Sequence, residues 1–140
     1  MYQAYANAIN AYARASEAQT GVRAILRIYD RMYHRLYLAK EARLNGDFET
    51  EFNSVEIVLK ALIGLRSNLN FKQGGKVALT LKEYYTNLIS QINYRYKAAD
   101  KIEHYDNILQ QVNVMRSAWA ALAGEPSSQS LQREEEHVRA

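Results

Sequence analysis

Apolar side chains recur at spacings of three and four residues along most of the chain, which is the periodicity of an amphipathic α-helix. Three such stretches predict helices over residues of roughly 22–44, 47–70 and 77–97, and a fourth, traced from Ile102 to Leu122, predicts a helix that Asp100 caps and that Gly124 and Pro126 stop. The predicted inward face of the second is Phe48, Phe52, Val55, Leu59, Leu62 and Leu69. No stretch alternates apolar and polar residues as a half-buried strand would. The pattern therefore predicts an all-α protein.

Short polar segments predict where these helices begin and end. Asn45-Gly46 suits the left-handed conformation that ends a helix, and Asp47 can accept the free N–H groups of the next one. A second break covers residues 70–75, and Asp100 can cap the fourth helix. Because links this short force successive helices to run antiparallel, we expect an up-down four-helix bundle over residues 21–124.

Two segments lie outside the predicted bundle. Residues 1–20 carry Tyr2, Tyr5, Ile9 and Tyr12 at spacings of three and four. This stripe predicts a short amphipathic helix that docks on a groove of the bundle and covers it when no partner is bound. Residues 125–140 are rich in Ser and then in charge, and we expect them to form a disordered acidic tail.

Composition limits the classes of protein to which this chain can belong. Its 140 residues, 48% of them hydrophobic, can fill one core, and the absence of cysteine excludes disulfides, thiolate metal sites and cysteine nucleophiles. The N-terminus lacks the pattern of a signal peptide. The most apolar stretch, residues 55–65, contains Glu56 and Lys60 and is shorter than the roughly 20 residues that cross a bilayer. We expect a cytoplasmic protein without membrane insertion.

The formal charge of +3 is unevenly distributed. Residues up to Gly124 include 16 basic and 11 acidic side chains, whereas residues 125–140 include two basic and four acidic ones. A nucleic-acid binder would usually be more basic, so no nucleic-acid partner is expected. Arginines recur every fourth residue on the first bundle helix, where they form either a solvated face or a surface for an acidic partner. They are Arg23, Arg27, Arg31 and Arg35.

No combination of residues indicates catalysis. The three histidines, His34, His104 and His137, have no partner at nucleophile–base or metal-ligand spacing. No position on the predicted inward faces carries Asp or Glu, and Gly74-Gly75 lacks the context of a phosphate-binding loop. We expect no enzymatic activity, no metal site and no cofactor. The chain has eleven tyrosines, and Tyr29, Tyr33 and Tyr37 line up beside the arginines, which favours protein binding instead.

Several segments between residues 9 and 123 resemble the flagellin-specific export chaperones (FliS), which are small four-helix bundles. They are Ala11-Tyr12, the run from Ile25 to Asp30, the region from Leu69 to Ala78 around Gly74-Gly75, then Leu81, Tyr85 and the run from Arg116 to Trp119. The chain departs from the family's pattern at Gly21-Val22, which replaces a proline, and at Asn70 and Lys76, which replace acidic residues.

The resemblance implies a client and a set of contact residues. The implied client is the C-terminal segment of flagellin, which such a chaperone binds in the cytosol, keeps from premature polymerisation and escorts to the flagellar type III export apparatus. A component of the export gate is a further implied partner. The residues expected to recognise the client or to shape its site are Tyr12, Tyr29, Asp30, Leu69, Gly74, Gly75, Leu81 and Tyr85. Trp119 is expected to pack the bundle. The alternative is a generic helical adaptor for another export or signalling partner, which the missing proline and the arginines of the first bundle helix favour.

Overall fold

The computed structural model describes residues 2–16 and 21–125, which form five α-helices and no strand. The helices are α1 (Tyr2–Ser16), α2 (Val22–Leu44), α3 (Phe48–Ser67), α4 (Phe71–Tyr94) and α5 (Lys101–Ala123). The prediction of an all-helical bundle is therefore confirmed. The predicted tail lies outside the described residues from residue 126 onward.

The helices pack as a closed ring rather than as a bundle with a loose attachment. α2 packs against α3 and α5, and α4 packs against α3. α1 lies between α4 and α5, which touch each other only slightly. Because Ile9 of α1 is fully buried in the same core as Trp119 of α5, the N-terminal helix completes the hydrophobic core.

Side-chain caps set the starts of three helices. Asp47, Asn70 and Asp100 each accept a hydrogen bond from the backbone N–H three residues later, at 3.2, 3.0 and 3.0 Å. The cap at Asn70 starts α4 at Phe71, six residues earlier than the sequence pattern predicted. Gly75, with φ 51° and ψ −125°, then interrupts the helical geometry inside α4. Only glycine adopts such a conformation without strain, so the predicted break is reduced to one kinked residue.

The predicted inward face of α3 is wrong in its first half. Phe48 and Phe52 are 61% and 52% exposed, whereas Glu51 is only 4% exposed. The Glu51 carboxylate accepts hydrogen bonds from the Tyr105 hydroxyl at 2.6 Å and from Arg43 Nη1 at 3.3 Å. These partners offset the cost of burying a charge, so the expectation that no acidic residue points inward is also wrong.

Candidate functional site

An open apolar cavity of about 590 Å³ lies between α2 and α3, and we call it the groove. α2 contributes Ile25, Ile28 and Arg31 to its lining, and α3 contributes Ile57, Lys60, Ala61, Gly64, Leu65 and Asn68. Leu69 and Tyr12 stand beside these walls, and Tyr85 and Trp119 form the floor. All five helices therefore contribute side chains to one concave apolar surface.

The wall that α3 provides follows the helical repeat. Ile57, Ala61, Gly64 and Asn68 lie four, three and four residues apart and so share one face of the helix. Gly64 has no side chain, and a Cβ atom placed there would meet nothing within 4 Å. The groove owes part of its free volume to this glycine.

The floor of the groove is aromatic and uncharged. Tyr85 and Trp119 are each 1% exposed, and the ring of Trp119 lies 6.3 Å from that of Tyr29 beneath. The Tyr29 hydroxyl donates a hydrogen bond to the Tyr85 hydroxyl at 3.0 Å. Burial raises the pKa of both tyrosines well above the ordinary value, so both hydroxyls stay neutral at physiological pH.

Tyr12 connects α1 to the groove through the double-glycine segment. Its hydroxyl accepts a hydrogen bond from the backbone N–H of Asn70 at 2.9 Å. Its ring packs on Gly74, where an added Cβ would lie 2.9 Å from two ring carbons and from the Cβ of Ala78. Gly74 therefore permits close approach of α1 and α4, and Gly75 supplies the kink.

The charged residues that line the groove are both basic. Arg31 and Lys60 form no ion pair with any residue that the structure describes. Arg27 differs, because it pairs with Asp30 at 2.8 Å and with Glu125. The hydrogen bonds and charge of Glu125 and Asp30 raise the pKa of the Arg27 guanidinium. Among the described residues, the rim of the groove thus carries two positive charges that no carboxylate pairs with.

The structure brings some of the sequence-predicted recognition residues together. Tyr12, Leu69 and Tyr85 line the groove. Tyr29 and Leu81 are fully buried in the core, so a role for them would be to support the site. Asp30 joins α2 to α5 through ion pairs with Arg27 and Arg116.

The predicted cover residues of α1 lie mainly against α4 and α5. The Tyr5 ring is 5.0 Å from that of Tyr84, and its hydroxyl accepts a hydrogen bond from Asn87 Nδ2 at 3.1 Å. Ile9 is fully buried, and Tyr12 alone of the stripe also lines the groove. The side chain of Tyr2 lies outside the described part of the chain. The cover role stays a prediction.

Sequence reasoning missed most of the lining contributed by α2 and α3. Ile28, Ile57 and Gly64 were not among the expected site residues, although Ile57, Ala61 and Leu65 repeat every four residues. This second apolar repeat lies outside the predicted inward face, and it was the sequence signal that could have indicated the lining residues of α3. An apolar helix face that is not needed for the core indicates a binding surface.

Within residues 2–16 and 21–125, no group of three or more His, Cys, Asp or Glu side chains is placed to hold a metal ion. His34 is exposed, and His104 contacts the Gln91 carbonyl oxygen at 2.6 Å. His137 lies outside the described residues. No helix in the described chain is long and apolar enough to cross a membrane.

The fold and the groove define a class of protein, a small helical bundle with an open apolar site of the kind that accepts an amphipathic segment of another protein. The family model of the flagellar protein FliS matches residues 1–126, and the chain belongs to this family. The family gives the chain the role of a flagellar export chaperone, and the resemblance seen in the sequence is confirmed. A comparison with curated proteins gives no significant match.

Proposed function

We propose that this chaperone binds the C-terminal segment of flagellin in the groove, in the cytoplasm, and escorts it to the type III export apparatus. The observation that carries the proposal is the open cavity of about 590 Å³ with apolar walls and an uncharged aromatic floor. Family membership supplies the flagellar context.

The dimensions of the groove suit a helical client. The α3 wall runs from Ile57 to Asn68, which is about 17 Å along the helix axis, or roughly three turns. An amphipathic helix laid beside it would place residues at positions i, i+4 and i+7 against Ile57, Ala61 and Gly64. Side chains of the client would enter the space that Gly64 leaves open.

Binding in the groove would also explain protection from polymerisation. A segment that is disordered as a monomer loses conformational entropy when it folds on the chaperone, so a large apolar contact must offset that cost. While the contact lasts, the apolar face of the segment is not available to a second flagellin subunit. We assign direct contacts to Tyr12, Leu69 and Tyr85, and a supporting role to Tyr29 and Leu81.

In the proposed cover role, α1 covers the surface of α4 and α5 on which it packs and the edge of the groove beside Tyr12. A client that displaced α1 would occupy the positions of Tyr5 and Ile9. A variant lacking residues 1–14 should then bind the client as tightly as the full chain or more tightly. A large loss of affinity in a variant that remains helical would contradict the cover role.

The groove is tested by calorimetry with a synthetic peptide that covers the C-terminal segment of flagellin. We expect one-to-one binding with a negative heat-capacity change and no loss of affinity at high salt, because the contact is mainly apolar. A Gly64→Phe variant should lose at least about ten-fold in affinity, since its ring would fill the groove, whereas Gly64→Ala serves as the matched control. Unchanged affinity in Gly64→Phe would place the client elsewhere, and no binding to the unaltered chain would refute flagellin as the client.

A further inference from the structure

The arginine stripe of α2 connects the end of α5 with the groove. Residues four apart on a helix are displaced by about 6 Å along the axis and about 40° around it. Arg27 contacts Glu125, the last described residue after α5, and Arg31, one step further, lines the groove. The stripe therefore crosses the outer face of α2 from α5 towards α3. Of its four arginines, Arg23, Arg31 and Arg35 form no ion pair with any described residue.

The C-terminal cap of α5 places Glu125 against this stripe. Gly124 adopts a left-handed conformation with φ 72°, and the backbone N–H of Glu125 donates a hydrogen bond to the Ala120 carbonyl at 2.9 Å. This turn brings the Glu125 carboxylate onto Arg27. Glu125, the last described residue, thus lies beside the arginine stripe of α2.

The segment that continues from this point has complementary chemistry. Glu134, Glu135 and Glu136 are three consecutive acidic residues, and Leu131 and Val138 flank them seven residues apart, a spacing of two helical turns. Residues 126–140 also contain Arg133 and Arg139, so three acidic and two basic side chains give a net side-chain charge of −1. The run of three glutamates with its two apolar neighbours matches a groove with apolar walls and a basic rim. The family match ends at residue 126 and does not cover this segment.

The length of the segment is sufficient. Glu134 lies nine positions after Glu125 in the sequence, a stretch that can span up to about 30 Å. Arg31 and Arg35 lie only about 6 and 12 Å beyond Arg27 along α2. The glutamates can therefore reach either arginine, and also Lys60 on the opposite wall.

We propose that residues 126–140 bind in the groove of their own chain. Glu134, Glu135 and Glu136 pair with Arg31, Arg35 and Lys60, and Leu131 and Val138 contact the apolar walls. The tail then competes with the client and lowers its apparent affinity until the client displaces it. Only this competition rests on the proposed function, because binding of the tail needs no client.

Binding of the tail is tested on the full chain without a client. Since the chain contains no cysteine, a Ser130→Cys variant accepts one nitroxide label at a defined position. We expect faster relaxation of backbone amides in residues 25–35 and 57–68 at low salt, and loss of the effect in about 1 M salt, where the Debye length is roughly 3 Å. Replacing all three glutamates by glutamine should also remove it. No enhancement at these amides, or an enhancement that the glutamine variant retains, would overturn the proposal.

Two further measurements test whether the tail binds within one chain or between copies, and whether it competes with the client. A mixture of labelled and isotope-enriched chains detects contact between copies, and an effect found only between copies would overturn binding within one chain. In calorimetry with the flagellin peptide, the triple glutamine variant should bind about 5- to 10-fold more tightly than the full chain at low salt, since an exposed ion pair contributes roughly a factor of two. If the full chain and the triple glutamine variant bind the peptide equally well, although the relaxation test shows that the tail binds, the competition is overturned and binding of the tail is not.

Discussion

The same substitution at two glycines should change stability in opposite directions. Gly64 lies inside α3, where a Cβ would meet nothing within 4 Å. Alanine there lowers the conformational entropy of the unfolded chain and should raise the free energy of unfolding by about 0.5–1 kcal/mol. Gly74 also lies in a helix, but its Cβ would come within 2.9 Å of the Tyr12 ring and of Ala78.

The cost at Gly74 follows from how firmly Tyr12 is held. The Tyr12 hydroxyl is bound to the Asn70 N–H at 2.9 Å, so the ring cannot move aside without losing that hydrogen bond. Overpacking of this kind costs roughly 1–3 kcal/mol, and the entropic gain of alanine offsets part of it. We expect Gly74→Ala to lower the free energy of unfolding by about 0.5–2 kcal/mol.

Urea and thermal unfolding of the two variants measure this difference. Gly64→Ala should raise Tm by roughly 2–6 °C and Gly74→Ala should lower it. A Tyr12→Ala background removes the clash with the ring, so Gly74→Ala should cost less there, which a double-mutant cycle would detect as coupling. A stabilising Gly74→Ala, or a cost that Tyr12→Ala does not change, would refute the close packing of α1 on α4.

Three further outcomes test the core that supports the groove. Ile9→Ala should lower the free energy of unfolding in urea by about 2–5 kcal/mol, because Ile9 is fully buried; a loss below about 1 kcal/mol would show that α1 is only loosely attached. Tyr105→Phe should cost about 1.5–3 kcal/mol, because it removes a donor at 2.6 Å from buried Glu51, and this cost should shrink in a Glu51→Gln background. Burial raises the pKa of Tyr29 and Tyr85 in the folded state, so these hydroxyls keep protons that the unfolded chain releases above pH about 10. Stability should therefore be lost as pH rises above about 10, by roughly 1.4 kcal/mol per pH unit for each group, and Tyr29→Phe should lower this slope in denaturant titrations; an unchanged slope would contradict burial.

Much of the fold could be predicted because its signals are local. The bounds of α2, Val22–Leu44, agree with the predicted 22–44 since the apolar repeat and the Asn45-Gly46 stop depend only on neighbouring residues. The capping of α3 by Asp47 and of α5 by Asp100 was equally readable. α4 was predicted to start too late because its first turn, with Gly74 and Gly75, has little intrinsic preference for a helix.

The site was harder to predict because it depends on which apolar faces the bundle leaves uncovered. The second half of α3 is apolar on more than one side, so its periodicity does not say which face packs inward. Tyr12, Leu69 and Tyr85 were identified through the family resemblance. Ile28 and Gly64 became visible as groove residues only when the distance between α2 and α3 was known.

The sequence by itself determined the helical class, the caps and the absence of thiol chemistry, since periodicity, capping and composition act over a few residues or need no geometry at all. Tertiary structure decided the rest. It placed α1 between α4 and α5, buried Glu51 against Tyr105 and left the groove open above Tyr85. These features depend on how helix faces distant in sequence compete for one core, and no local pattern contains that information.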